Sequence, residues 1–235
     1  MRGSLTGARD LLTGALGPLK GVRLSLGLGR HLIRLAPTTP MALAAGPALA
    51  LAAVPSALSL HLQPVVAALL LRVVTTLCVL PVAFALDDPG ARTTAVLPFP
   101  VTPRRLLRLV PVCVPLAAAW TVCALLLRAA VPSDDRAALP LAGLCLEAAA
   151  LGSAAVLLAA LGLRLTGGER GSALAAPGSV LLPLALLLGP ARPWLFAVPH
   201  GEFWEASRRG WASALIALTV LAAVFLGERR ASARC

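Results

Sequence analysis

The sequence predicts an all-α integral membrane protein: six transmembrane helices, both termini cytoplasmic, and an interfacial amphipathic segment at the N-terminus. Three observations predict it. Hydrophobic residues fill 58% of the 235 positions and charged residues 13%. A soluble domain carries about 25% charged residues, so this chain cannot clothe itself in polar surface. Six stretches are apolar and approach or exceed the roughly 20 residues that a helix needs to cross a hydrocarbon core of about 30 Å. The basic residues, finally, separate by side.

The first 40 residues form a basic leader with six Lys or Arg. Leu5, Ala8, Leu12, Leu16 and Leu19 follow helical spacing, and Leu28, Leu32 and Leu35 do so again. Two readings stand side by side: one or two helices lying on the anionic inner leaflet, or a disordered basic tail, since glycine weakens a helix. The first apolar run starts only near Met41, behind this long basic stretch, which is a poor pattern for a cleavable signal peptide.

Residues 41–227 hold the six-helix transmembrane domain, with expected spans at 41–60, 64–86, 109–131, 139–163, 174–188 and 211–226. Residues 228–235 are a cytoplasmic tail. The breaks are chemically apt: His61-Leu62-Gln63-Pro64, Asp87-Asp88-Pro89-Gly90, Ser133-Asp134-Asp135, Thr166-Gly167-Gly168, and a longer stretch over 189–210. Besides the leader's six, one side collects Arg92, Arg104, Arg105 and Arg108, then Arg164 and Arg170, then Arg229, Arg230 and Arg234, fifteen in all. The other side has five, Arg128, Arg136, Arg192, Arg208 and Arg209, while Arg72 falls inside a span. The positive-inside rule then places both termini in the cytoplasm, as an even number of spans also requires.

Composition excludes several functions. The net charge is +11, but aromatics are 4% and tyrosine is absent. A nucleic-acid surface needs stacking aromatics on a basic face, so the charge reads as membrane asymmetry and nucleic acid is not an expected partner. The single lysine, Lys20, lies between Leu19 and Gly21. A P-loop ends in Gly-Lys-Ser or Gly-Lys-Thr because the ammonium holds the β- and γ-phosphates. This chain has no such loop, so ATP would have to be bound by a separate subunit. Cys78, Cys113, Cys123, Cys145 and Cys235 form no C-x-x-C pair and read as small hydrophobes. His31, His61 and His200 stand singly, whereas metal and haem ligands come in clusters. No catalytic, metal or cofactor residue is expected. DDPGAR lacks the Asp-Gly-x-x-Ala-Arg order and downstream aspartates of a two-metal lipid phosphotransferase, and no Gly-x-Ser-Gly turn marks a serine protease.

Two ionisable residues fall inside spans, Arg72 and Glu147. Each costs about 2.5–3.5 kcal/mol there on insertion scales. Both lie on the order of 12 Å below the outer surface at the 1.5 Å helical rise. Opposite charges at equal depth suggest an interhelical ion pair. A place along a substrate path and no contact at all are the other two readings. Pro47, Pro55, Pro81, Pro111, Pro115 and Pro183 permit kinks, and Gly46, Ala50, Ala53 and Ala57 put small residues on one face of the first span.

The loop between the second and third spans reads DDPGARTTAVLPFPVTPRRLLR. Asp88 followed by Pro89 is an N-cap with proline at the first helical position, where its missing N–H costs nothing. A short helix is expected over 89–97, stopped by Pro98 and Pro100. Thr102-Pro103 repeats the signal, and Arg104, Arg105 and Arg108 start the foot of the third span. A stiff, capped helix across the inner mouth of a bundle is something a soluble partner can push on.

On these residues the chain resembles the permease subunits of the ABC-2 class of ATP-binding-cassette transporters. Leu97-Pro98, Pro100, Val101 and Arg104-Arg105 stand where that family has the leucine-rich end of its coupling helix, a proline step and a basic start to the third span. The stretch PARPWLFAVPHGEFWEASRRGW is similar to the segment between the last two spans, which in that family forms a short outer re-entrant hairpin. The family's glutamate-bearing step is replaced by Thr93-Thr94-Ala95. The resemblance implies an exporter subunit of the bacterial cell membrane that performs no covalent chemistry. It pairs with a second permease chain through its first span and is driven by a separate ATPase docking on Asp88, Pro89, Arg92, Thr93, Thr94 and Leu97. Membrane lipid surrounds it. The alternatives are an ion-coupled secondary carrier, for which Glu147 alone is thin support and which would be expected to show repeat halves where none is found, and a non-transporting anchor or assembly protein.

Overall fold

The computed structural model describes residues 38–87, 101–167, 170–190, 192–197 and 201–227. The leader, the loop 88–100 and the tail 228–235 lie outside the described residues. All the regular structure described is helical: α1 (Thr38–Ala57), α2 (Pro64–Val79), α3 (Val82–Ala85), α4 (Val101–Ala129), a 3₁₀ turn (Ser133–Ala138), α5 (Leu141–Leu165), α6 (Ser172–Leu188), α7 (Arg192–Leu195) and α8 (Trp204–Leu226).

Five helical stretches are long and apolar enough to cross a membrane: 39–57, 64–85, 105–129, 141–165 and 204–226. The expected fifth span, 174–188, appears as α6, an apolar helix of 17 residues. At 1.5 Å per residue it reaches about 25 Å, short of the hydrocarbon thickness of about 30 Å. Other boundaries also move. The expected second span, 64–86, is broken at Leu80-Pro81 into α2 and α3. Proline carries no N–H for the ladder and its ring meets the carbonyl four residues back. The third span gains its basic foot and starts at Val101. The last starts at Trp204 and not at 211, because residues 204–210 continue the helix despite Arg208 and Arg209.

α2 and α5 form the middle of the bundle. α1 and α4 pack on α2 and on each other, while α6 and α8 pack on α5; α3 wedges between α4, α5 and α6. In a lipid setting, apolar side chains gain little by leaving lipid, so helices associate where small residues let backbones approach. The buried surfaces have that character: Ala44, Ala48 and Ala52 on α1, and Ala150, Ala154, Ala155, Ala159 and Ala160 on α5. The Gly46–Ala50 face of α1 is a different one, and Gly46, Ala50 and Ala57 on it are exposed. Gly162 makes the tightest approach, as a Cβ there would collide with the carbonyl oxygen of Gly171. The α5–α6 hairpin closes on that contact, turning through Gly167 at φ +68°.

The two ends of the bundle are tied differently. At one end the Leu62 amide donates to the Ala130 carbonyl at 3.0 Å and Arg136 Nε donates to the Val131 carbonyl at 3.1 Å. This end also carries α7. At the other end, basic side chains hold the last carbonyls of α8. Arg164 Nε donates to Phe225 O at 3.0 Å and Nη2 to Val224 O at 2.9 Å, with its guanidinium 4.5 Å from the Phe225 ring centroid. Arg105 Nη1 reaches Leu226 O at 3.4 Å. Cations belong at a helix C-terminus, where unpaired carbonyls concentrate negative charge.

Candidate functional site

Arg72 lies eight residues into α2 and Glu147 six residues into α5, so both sit within roughly 9–12 Å of the end that carries α7. The structure brings them together. Arg72 Nε donates to Glu147 Oε2 at 2.8 Å and Nη2 donates to Oε1 at 3.0 Å. This is a two-pronged pairing in which the planar guanidinium matches the carboxylate. Glu147 is 5% exposed and Arg72 21%. Glu147 is therefore an acid fully committed to its partner, while part of Arg72 remains reachable.

The third member is aromatic. The Phe196 ring lies 4.7 Å from Arg72 Cζ, a cation–π contact that is strengthened away from water. Phe196 directly follows α7, and its neighbour fixes it: the Leu195 carbonyl accepts bonds from Ser207 Oγ at 2.8 Å and from Trp211 Nε1 at 2.7 Å. The Trp211 ring lies 5.9 Å from the Phe196 ring, and Trp194 lies 4.7 Å from Phe203. Trp204 is nearly buried against α5 at Gly143, where a Cβ would stand 2.8 Å from its ring. So α7 folds back against the start of α8 and aims Phe196 at the ion pair.

Two cavities meet at that point. One, of about 220 Å³, opens along α2 and α6 between Val73, Val180 and Leu184. The other, of about 140 Å³, extends toward Pro140, Leu144 and Trp204. Leu69, Arg72, Leu187 and Phe196 border both. A separate cleft of about 290 Å³ runs between α2, α4 and α5 past Thr75, Trp120, Cys145 and Gly152. Its polar groups are turned inward: Trp120 Nε1 donates to Thr75 Oγ1, which donates to Leu71 O, each at 2.8 Å.

The expected contact residues Asp88, Pro89, Arg92, Thr93, Thr94 and Leu97 lie outside the described residues. The chain entering that loop is anchored, however. Asp87 Oδ1 accepts a hydrogen bond from the Ser172 amide at 2.9 Å. The N-cap position of α6 is Gly171, which has no side chain to offer, so Asp87, two residues past the end of α3, supplies the cap. Sequence reasoning missed Asp87, Phe196 and Arg164 as organising residues. Asp87 stands beside the more obvious cap Asp88, and Arg164 reads only as one more cytoplasmic cation. Among the described residues, Cys78 and Cys123 are buried and Cys113 and Cys145 exposed, and no group of three His, Cys, Asp or Glu could hold a metal ion.

Fold and site together define a multi-pass membrane protein, helical throughout its described residues, with a part-buried ion pair between two central helices and an aromatic ring on its arginine. Comparison with protein-family models, with curated proteins and with solved structures gives no match.

Proposed function

We propose that the chain is the membrane-spanning permease subunit of an ABC-2-type exporter in a bacterial cell membrane. α6 counts as its fifth of six spans, both termini are cytoplasmic, and a separate ATPase subunit binds ATP. The observation that carries this reading is α7: a short helix between α6 and α8, folded back on the bundle and pinned through the Leu195 carbonyl. That is the form the resemblance implies for the segment between the last two spans.

The mechanical path supports the same reading. An ATPase pressing on residues 88–97 acts on a loop whose beginning, Asp87, holds the start of α6. The loop's end runs into α4 at Val101. Arg105 on the foot of α4 in turn touches the end of α8. A push there is delivered to three helices at once, which is how ATP-driven closure outside the membrane would change access within it. A second permease chain has the outward Gly46–Ala50 face of α1 as its docking surface. Glu147 has both oxygens occupied by Arg72, which weighs against an ion-coupled carrier that must load and release a proton.

Two measurements test this together. Mild-detergent purification of the chain from its native host is expected to bring down a P-loop ATPase, and substitutions at Arg92 or Thr94 to weaken that association several-fold. Cysteines placed over 88–97 are expected to react only with reagents applied from the cytoplasmic side. Labelling from the exterior would overturn the reading.

A further inference from the structure

We propose that Arg72 anchors a small apolar ligand bearing an uncharged carbonyl group, held in the two cavities that meet at its guanidinium. The pair with Glu147 uses Nε and Nη2 and leaves Nη1 without a hydrogen-bond partner among the described residues. No fully buried side-chain nitrogen or oxygen among the described residues lacks a partner, so Nη1 keeps accessible surface. Arg72 borders both cavities. A charged donor at the border of two largely apolar cavities is the arrangement of a ligand pocket, in which a few polar groups orient an apolar body.

The chemistry of the occupant follows from the charge already present. Glu147 neutralises Arg72 through two hydrogen bonds. A carboxylate or phosphate would compete with Glu147 and bring an unpaired negative charge into a low-dielectric site, and an ammonium would face the guanidinium. An ester, amide or ketone oxygen accepts from an Nη1–H without changing the net charge. Leu69, Leu187 and Phe196, which border both cavities, supply apolar contact for the rest of the molecule. Phe196, which directly follows α7, also lies against the Arg72 guanidinium. Binding of this kind belongs to the chain alone and stands or falls separately from ATPase docking.

Brominated probes measure it, because Trp204 borders the smaller cavity and bromine quenches indole fluorescence at contact. Full-length protein in detergent is titrated with methyl dibromostearate, with dibromooctadecane, and with a phosphatidylcholine carrying dibrominated chains; Trp204→Phe identifies the Trp204 signal. The methyl ester is expected to half-quench Trp204 at about tenfold lower concentration than the alkane, the effect of one well-made hydrogen bond to a charged donor. The advantage is expected to vanish in the paired variant Arg72→Leu/Glu147→Leu, which strands no charge. It is also expected to vanish in Leu69→Phe, which fills the cavities and leaves the ion pair intact, so a folding failure of the first variant leaves the second to decide. Quenching by the phosphatidylcholine with the same dependence on Arg72 identifies the occupant as a membrane lipid's ester, and quenching by the methyl ester alone identifies a free small molecule. Equal quenching by ester and alkane, or an ester advantage that survives both variants, overturns the proposal.

Discussion

At the scale of single residues, Arg72 and Glu147 show how a bilayer interior makes charge conditional. Removing one partner leaves the other uncompensated, which costs about 3 kcal/mol in buried pairs, while removing both can be nearly neutral. Arg72→Leu and Glu147→Leu are each expected to lower the yield of monodisperse protein in fluorescence-detected size exclusion, and the double variant to recover much of it. Additive losses would reject the coupling. Two glycines of α5 give a second test with opposite signs. A Cβ at Gly162 would strike the Gly171 carbonyl, whereas one at Gly152 would meet nothing within 4 Å. Gly162→Ala should destabilise by about 1–3 kcal/mol, as overpacking does. Gly152→Ala should be neutral or gain about 0.5–1 kcal/mol from helix propensity. Thermal unfolding of the purified variants checks both.

At the scale of elements, the ends of helices carry more of the organisation than their middles. α6 has a glycine at its N-cap position and borrows its cap from Asp87, so its first turn and the entry to the 88–100 loop are one unit. Asp87→Ala is expected to cost about 1 kcal/mol, and Asp87→Asn much less because the amide oxygen can still accept. Hydrogen exchange at the first turn of α6 should rise in the alanine variant alone. The end of α8 depends likewise on Arg164, whose fork spans two consecutive carbonyls; lysine at this position cannot reproduce that geometry. α7 has four residues and no helical strength of its own. It is defined by the two donors on the Leu195 carbonyl.

At the scale of the whole molecule, the outer helices of the described bundle are covered on one side only. Leu43 on α1, Val114 and Leu125 on α4, and Ile216 and Val224 on α8 all point outward. This is the surface expected where lipid, or a second membrane chain, completes the packing. Helix direction alternates along the chain, so His61 and Thr166 lie at opposite ends of the bundle. Cysteines placed there are expected to react with a membrane-impermeant maleimide from opposite sides of sealed vesicles. Labelling from the same side would reject a spanning bundle of this order.

The sequence by itself determined the helical class, the apolar segments to within about four residues except at the start of the last, and the similar depth of Arg72 and Glu147. These properties follow from length, hydropathy and the fixed 1.5 Å rise of a helix, all local to one stretch of chain. Only the tertiary structure decided that the two charges pair through both carboxylate oxygens, that Phe196 covers them, that Pro81 splits α2 from α3, and that Asp87 caps a helix 85 residues away. Each of these depends on which faces of separate helices meet. In a chain this rich in alanine and leucine, many faces are equally apolar, and close contact at Gly143, Gly162 and Gly171 selects among them.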